Sequence, residues 1–576
     1  MPSLTINGKP YEFSKGETIL QVALRNGVEI PHYCYHPGLS IVANCRICLA
    51  EVWAPNPRNE NRLEPIPKLM PTCQTPAAEG NAVYTDSPKS IANQKAVMEY
   101  LLINHPVDCP VCDQAGECYL QDYSYQFGRG ASRFEERKNK QPKKDLGPNV
   151  LLYADRCIMC TRCVRFCREV TGTAEITIEG RGSIEQIDVF PGIALDNELS
   201  ANVVDLCPVG ALLDKDFLFQ QRVWFLRKTP SIDGITASGD NISVEHNEGQ
   251  VYRIKPRDNP DVNKWWISDE IRYGWKFVHD DKRLRLPRVK GDDAFEPTEA
   301  PLAYEAAYAR TAAALGRPGA KVGLMVSPML TCEDAFHLGT MVRAFAPQAL
   351  LAVGPVPRAG QDKTFVGGYT IHAEKAPNAR GVRRVLGRLA SSTAGGAGAR
   401  GTTAGASSAS GAGGGRVQEF DEFLKSIKSL DVVVLTGNYP SEWATPALVE
   451  ALRGRTVILV DTLAGKLSEL ADVVIPGATW VEKAGTFENA KGRLQGFLRA
   501  INPIDYAKSE AQIALDLLAV REAGESETPD RLPSESYDPS ATRAFLVERL
   551  GLKEFAEVHL PAGEARVEAD MVMVEL

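Results

Sequence analysis

The chain has 576 residues, 44% hydrophobic and 24% charged, with a formal net charge of -8 and a pI near 5.7. The length suggests roughly three to five folded domains, and the acidic balance excludes a general nucleic-acid binder, which needs a basic face. No run of about 18 apolar residues appears, so no membrane span is expected, and "MPSLTINGKPYEF" lacks the basic-then-apolar pattern of a secretory signal.

In chain order, "SLTINGKPYEF" reads as two short strands around Asn7-Gly8. In "GETILQVALRNGVEI", Ile19, Val22 and Ala23 have helical spacing and Gly27 stops the helix. A first domain of this β-rich kind is expected over 1–78. Segment 79–135 carries the amphipathic helix "SIANQKAVMEYLLINHP", and 136–218 holds a cysteine-rich stretch. Strand-like "NISVEH" and "QVYRIK" fall in a segment 219–285. From 286 to 520 the pattern alternates: helix "YEAAYARTAAAL", strand "KVGLMVS", a helix capped by Thr331, strand "DVVVLTG", a helix capped by Thr445 with Pro446 in its first position, then strands "TVILVD" and "ADVVIPG". Such alternation predicts a parallel, doubly wound sheet. The insert 391–415 has the composition of a flexible loop. Its G-x-G-x-x-G (Gly396, Gly398, Gly401) is rejected as a nucleotide site, because no strand precedes it and the run after it breaks helices. Residues 521–576 read as a charged, partly ordered tail.

Twelve of the 13 cysteines lie before residue 208. In a cytosolic chain such density points to metal rather than to a disulfide framework. Cys34, Cys45, Cys48 and Cys73 are spaced C-x10-C-x2-C-x24-C. Three cysteines in one loop and a fourth from a later strand resemble the plant-type [2Fe–2S] layout, with a longer first gap. Zinc favours two paired C-x2-C knuckles, and only one pair occurs here. His105, Cys109, Cys112 and Cys118, in "HPVDCPVCDQAGEC", taken alone suit either zinc or a [4Fe–4S] cluster. The company of the other two groups favours iron. "CIMCTRCVRFC" matches the bacterial ferredoxin run, but the Cys-Pro pair stands at Cys207-Pro208. The economical assignment is one [4Fe–4S] cluster on Cys157, Cys160, Cys163 and Cys207. Cys167 is then a non-ligand, and Cys332, at a helix start, a packing residue.

With "HPVDCPVCDQAGEC", "CIMCTRCVRFC" and "NVVDLCPVGAL" in this order, the chain resembles the large iron–sulfur subunit of bacterial NADH:quinone oxidoreductase, respiratory complex I. The resemblance implies an α+β N-terminal part: a β-grasp [2Fe–2S] ferredoxin-like domain (1–78), a histidine-ligated [4Fe–4S] domain (79–135) and a [4Fe–4S] ferredoxin-like domain (136–218). An α/β molybdopterin-oxidoreductase-like part follows, a small β-rich domain (219–285) and the doubly wound domain (286–520), with "ADVVIPGATWVEKAGTFENAKGRLQ" carrying the likeness. It implies one [2Fe–2S] and two [4Fe–4S] clusters on the twelve residues above, and no molybdopterin. Some relatives hold a further cluster after the third group. Here "TPSIDGITASGDNISV" and "KWWISDEIRYGW" contain no cysteine, and Ser268 stands where the last ligand would fall, so that cluster is expected to be absent. No flavin or nicotinamide fingerprint appears. The implied role is therefore a wire, carrying electrons from the FMN of a flavoprotein (NADH) subunit toward the quinone-side iron–sulfur subunits. Its implied place is cytoplasmic, peripheral on the inner membrane through the complex. The alternative is the electron-input subunit of a soluble NAD-linked hydrogenase or formate dehydrogenase. A zinc-stabilised scaffold is the non-enzymatic rival.

Overall fold

A computed structural model describes residues 1–291, 296–392, 416–524, 536–558 and 560–561. It divides into two compact units, residues 1–226 with 364–369, and residues 227–363 with 370–576.

The first unit begins with the hairpin Ser3–Ile6 and Lys9–Glu12. Asn7 and Gly8 both have positive φ, 49° and 80°, which gives the two-residue turn whose twist matches a hairpin. Strands Leu49–Asn56, Arg62–Pro65, Met70–Pro71 and Ala82–Tyr84 complete a six-stranded sheet. Ala82–Tyr84 lies past residue 78, where the sequence put the domain's end. It pairs parallel with Ser3–Ile6 and antiparallel with Leu49–Asn56, so the sheet closes only with it. Helix Ile19–Arg25 starts at a Thr18–Gln21 capping box, and its Ile19, Leu20, Val22 and Ala23 bury against Leu4, Ile6, Val52 and Val83. Burial of each such large aliphatic side chain stabilises by about 1.5–3 kcal/mol.

Next come helices Pro88–Leu102 and Tyr119–Phe127. Strands Leu212–Asp214, Val150–Tyr153 and Lys143–Asp145 form a small antiparallel sheet, and Ile176–Glu179 pairs with Gln186–Val189. Two short helices, Arg162–Phe166 and Asn202–Leu206, carry the remaining cysteine segments.

In the second unit, Arg227–Ile232, Asn241–Asn247 and Gln250–Pro256 form an antiparallel sheet. The larger sheet has five parallel strands. Numbered along the chain (Val322–Val326, Leu350–Val353, Val432–Thr436, Thr456–Asp461, Val473–Pro476), they lie in the order 2-1-3-4-5, with Arg288–Val289 antiparallel at one edge. Strands such as Val432–Thr436 are buried along their whole length, as a sheet covered on both faces requires. Thr331 caps helix Cys332–Phe345, and Thr445 caps helix Pro446–Leu452 with Pro446 in first place.

Part of the segment 521–576, read as a charged, partly ordered tail, packs on the core. Helix Glu510–Gly524 runs through residue 521, and helix Pro539–Leu550 with the turn after it places Leu546, Leu552 and Phe555 in the main core. Residues 525–535, 559 and 562–576 are outside the described residues, as is the insert apart from residues 391 and 392 in the preceding helix; the rejected glycine motif lies there too.

Candidate metal centres

The first group sits where the loop after helix Ile19–Arg25 meets strand Leu49–Asn56. Ala43 and Arg46, around Cys45, hold φ of 49° and 59°, a region that non-glycine residues rarely enter and that marks local constraint. Cys34, Cys48 and Cys73 are 1–2% exposed. Thr72 fixes Cys73 to the Cys48 segment through its hydroxyl and its N–H, 3.0 and 3.3 Å from the Cys48 carbonyl. The thiols of Cys45 and Cys73 both bond Cys34 and so hold it well below the usual thiol range, while Cys73 does the same more weakly to Cys48. Cys34, Cys48 and Cys73 are thus buried, with Cys45 half-buried, on two chain segments that Thr72 ties together.

The second group surrounds a small cavity lined by His105, Asp108, Cys109, Cys112, Ala115, Cys118, Gln121, Arg156 and Gly210. A tight turn over Cys109–Val111 presents Cys109 and Cys112, and Cys118 stands at the N-cap of helix Tyr119–Phe127. Burial, then Arg156 and Lys138, holds the His105 imidazole neutral, with its pKa down at about 4. A neutral ring nitrogen is the form that ligates. Gly210 is needed here, since a Cβ on it would come within 2.2 Å of the Cys112 sulfur. Arg222 laces the loop by donating to the carbonyls of Cys109 (3.1 Å), Pro110 (2.9 Å) and Cys112 (3.1 Å). Arg156, 3% exposed, pairs with Asp108 at 2.9 Å. Sequence reading missed Arg156, Arg222 and Gly210. Gly210, three residues past Cys207, was the one of these with a local signal.

The third group lines another small cavity: Cys157, Cys160, Cys163 and Cys207, with Leu152, Ile158, Ile187 and Val209 among the apolar walls. Met159 and Thr161 take positive φ, 51° and 62°, so the C-x2-C-x2-C run curls around the space. The Met159 N–H points at the Cys157 sulfur from 3.4 Å. Burial pushes the Cys207 thiol up to about 12 and raises those of Cys157, Cys160 and Cys163. A bound metal deprotonates such thiols, so loading these sites releases protons. Cys167 does not line this cavity. It is fully buried in the π-helical turn Cys167–Thr171, where burial and then Glu175 push its thiol up to about 12. Cys332 is also fully buried, 3.5 Å from Asn378.

The donor sets suit multi-atom clusters. In groups two and three the candidate ligand residues line a space. Ser268, 1% exposed, instead caps helix Asp269–Tyr273, accepting from the Ile271 N–H at 3.3 Å.

In the second unit, ligands of a doubly wound sheet would enter past the strands' carboxyl ends, between strands 1 and 3. The chain's own groups fill that place. The Ser327 N–H donates to the Thr436 hydroxyl (2.8 Å), and the Tyr439 hydroxyl to the Pro355 carbonyl (2.7 Å). Asn438 donates to the Ala478 carbonyl (2.7 Å) and receives no help from solvent, being 3% exposed. Beside it Lys483 pairs with both Asp334 (2.8 Å) and Glu510. A Cβ on Gly437 would meet the Asp461 carboxylate at 2.1 Å.

Five family models match. They are a 2Fe-2S iron-sulfur cluster binding domain (residues 2–88), the NADH-ubiquinone oxidoreductase-G iron-sulfur binding region (94–133), the NADH-quinone oxidoreductase subunit 3 ferredoxin-like domain (147–213), an NDSU1/NuoG-like 4Fe-4S domain (226–276) and molybdopterin oxidoreductase (372–520). The fourth match contains no cysteine. Among curated proteins, a mitochondrial NADH dehydrogenase [ubiquinone] iron-sulfur protein 1 of Solanum tuberosum is 45% identical over 290 residues, 50% of this chain and 37% of that one. The G-type subunit of NADH-quinone oxidoreductase from Rickettsia felis is 40% identical over 50% of this chain and 41% of its own. The 75 kDa subunit of NADH-ubiquinone oxidoreductase from Reclinomonas americana is 41% identical over 51% and 41%. The chain thus covers about two fifths of the length of these relatives. A solved NAD+-reducing [NiFe]-hydrogenase matches at 28% identity over 38% of this chain and 91% of that one, with a TM-score of 0.32.

Proposed function

We propose that this chain belongs to the family of large iron–sulfur (G-type) subunits of NADH-quinone oxidoreductase, to which it is similar, and is the electron-carrying subunit of such a complex. It would bind one [2Fe–2S] cluster on Cys34, Cys45, Cys48 and Cys73, one [4Fe–4S] cluster on His105, Cys109, Cys112 and Cys118, and one on Cys157, Cys160, Cys163 and Cys207. The observation that carries this reading is that two small cavities gather the complete second and third donor sets, with Cys167 left out of the third. When bound, the clusters supply reversible one-electron chemistry. The chain's own residues do the rest. Apolar walls such as Leu152, Ile187 and Val209 keep water from the third site. Arg222 fixes the carbonyls of the second loop, and Arg156 brings positive charge beside it; both tune a potential through hydrogen bonds and local charge.

In this reading electrons arrive from the FMN of a flavoprotein (NADH) subunit and leave toward quinone-side iron–sulfur subunits. No helix among the described residues is long and apolar enough to cross a membrane, so attachment would come through partners, on the cytoplasmic face. The filled crevice of the second unit supports a domain that holds no molybdopterin, and the cysteine-free 226–276 region one that holds no fourth cluster. Low-temperature EPR of the reduced chain, with iron and zinc analysis, tests the assignment. Three paramagnetic centres with about ten irons per chain are expected, two in the [2Fe–2S] cluster and four in each [4Fe–4S] cluster. Zinc without such signals would overturn it. Co-purification with membrane subunits, as against a soluble hydrogenase, tests the partners.

A further inference from the structure

Two arginines inside the first unit link its first and third cysteine sites. Arg162 and Arg165, on the short helix Arg162–Phe166, are 5% and 7% exposed. Arg165 donates from Nη2 to the carbonyl of Cys34 (2.5 Å) and to that of Cys160 (3.3 Å), and from Nη1 to the Ser40 carbonyl. Arg162 donates to the carbonyl of Tyr35 (2.6 Å), next to Cys34, and to that of Leu206 (3.2 Å), next to Cys207. Each guanidinium therefore spans from the first ligand loop to the third.

Buried charges are costly unless opposite charge compensates them. These two cations donate to carbonyls and, from Arg165, also to the Thr161 hydroxyl at 3.4 Å. After the Cys160 and Cys34 sulfurs, the attraction acting on Arg165 comes from Glu169, whose oxygens are engaged by the Ser40 N–H (2.8 Å) and hydroxyl (2.5 Å). The charge that suits this pair is that of thiolate-ligated clusters on either side, each a net anion that grows more negative on reduction. A nearby cation favours the more negative, reduced form of both.

We propose that Arg162 and Arg165 form a cationic bridge between the two sites, positioning residues that raise both reduction potentials together and join Cys34 to Cys160 by one guanidinium. This rests on the cluster reading above. The path runs from the Cys34 carbonyl through the Arg165 Nη2 to the Cys160 carbonyl, so it is covalent or hydrogen-bonded throughout.

The test is an EPR-monitored redox titration of the full, iron-loaded chain and its Arg165→Met and Arg165→Lys variants. In Arg165→Met the first and third sites should both become harder to reduce. The expected shift is about tenfold in the oxidised-to-reduced ratio at fixed potential, which is about 59 mV for one electron. The His105 site should stay put, and lysine, which keeps the charge, should restore most of both potentials. Retained signals with unmoved potentials, or movement of one site alone, would overturn the bridge. Should Arg165→Met lose either signal, Arg162→Met is judged by the same criterion. An unsubstituted chain with neither iron nor signals would instead remove the cluster reading, and the bridge with it.

Discussion

The two units bury polar groups in opposite ways. In the first, cysteines and one histidine line small cavities, and Arg162, Arg165 and Arg222 direct donors to carbonyls of or beside the cysteine loops. In the second, buried charges find one another: Lys483 with Asp334 and Glu510, Arg543 with Glu333 at 3.2 Å, and Arg283 with Glu482 at 2.8 Å. A group satisfied inside the chain reads as architecture. A set of donors converging on a space reads as a seat for something the chain does not itself supply. That difference separates the cysteine-bearing unit from the α/β unit more sharply than fold class does, since either fold could host a site.

The largest effect that would test this contrast is removal of iron. Metal binding is folding free energy, about 10–16 kcal/mol for small structural zinc sites, and the loops of all three cysteine groups lie in the first unit. Calorimetry of the full chain, loaded and chelator-stripped, should show one transition collapsing and the other staying within a few degrees. A single transition that ignores iron would break the comparison. Next is Lys483→Met. It strands Asp334 and Glu510 as buried carboxylates with no cation between them, and breaking such a pair costs about 3–5 kcal/mol. The loss should fall on the iron-independent transition and leave the EPR signals of all three sites unchanged.

What the sequence disclosed follows the range of each interaction. The cysteine groups were legible because ligand spacing is local chemistry, and the parallel strands because continuous apolar runs such as "DVVVLTG" need no partner to be seen. Strand Ala82–Tyr84 was missed because its place is set by pairing with residues 3–6, far off in the chain. The helix Pro539–Leu550 was hidden among charged residues, its contribution to the core resting on a few positions. Leu546→Ala tests that contribution: a fully buried leucine truncated in a packed core costs about 2–5 kcal/mol. A loss in the iron-independent transition is expected; no loss would return this segment to a tail. The arginine layer was illegible because arginine-to-carbonyl bonds carry no spacing rule. Arg165 reaches Cys34 across 131 positions.

The smallest effect is also the most selective. His105 stands where a thiolate could, and its ring is neutral because burial, Arg156 and Lys138 all disfavour the imidazolium. A cluster with one neutral ligand carries one negative charge fewer than its all-thiolate counterpart, and histidine replacement is known to raise potentials in Rieske centres. His105→Cys should therefore keep the centre and its iron while lowering its midpoint potential. The first and third sites should hold theirs, because Arg162 and Arg165 bond their loops and not the second. A midpoint and EPR spectrum identical to those of the unsubstituted chain would take His105 out of the ligand set. It would leave the cavity at Gly210 with three cysteines and a fourth donor still to be found among Asp108, Gln121 and Arg156's neighbours.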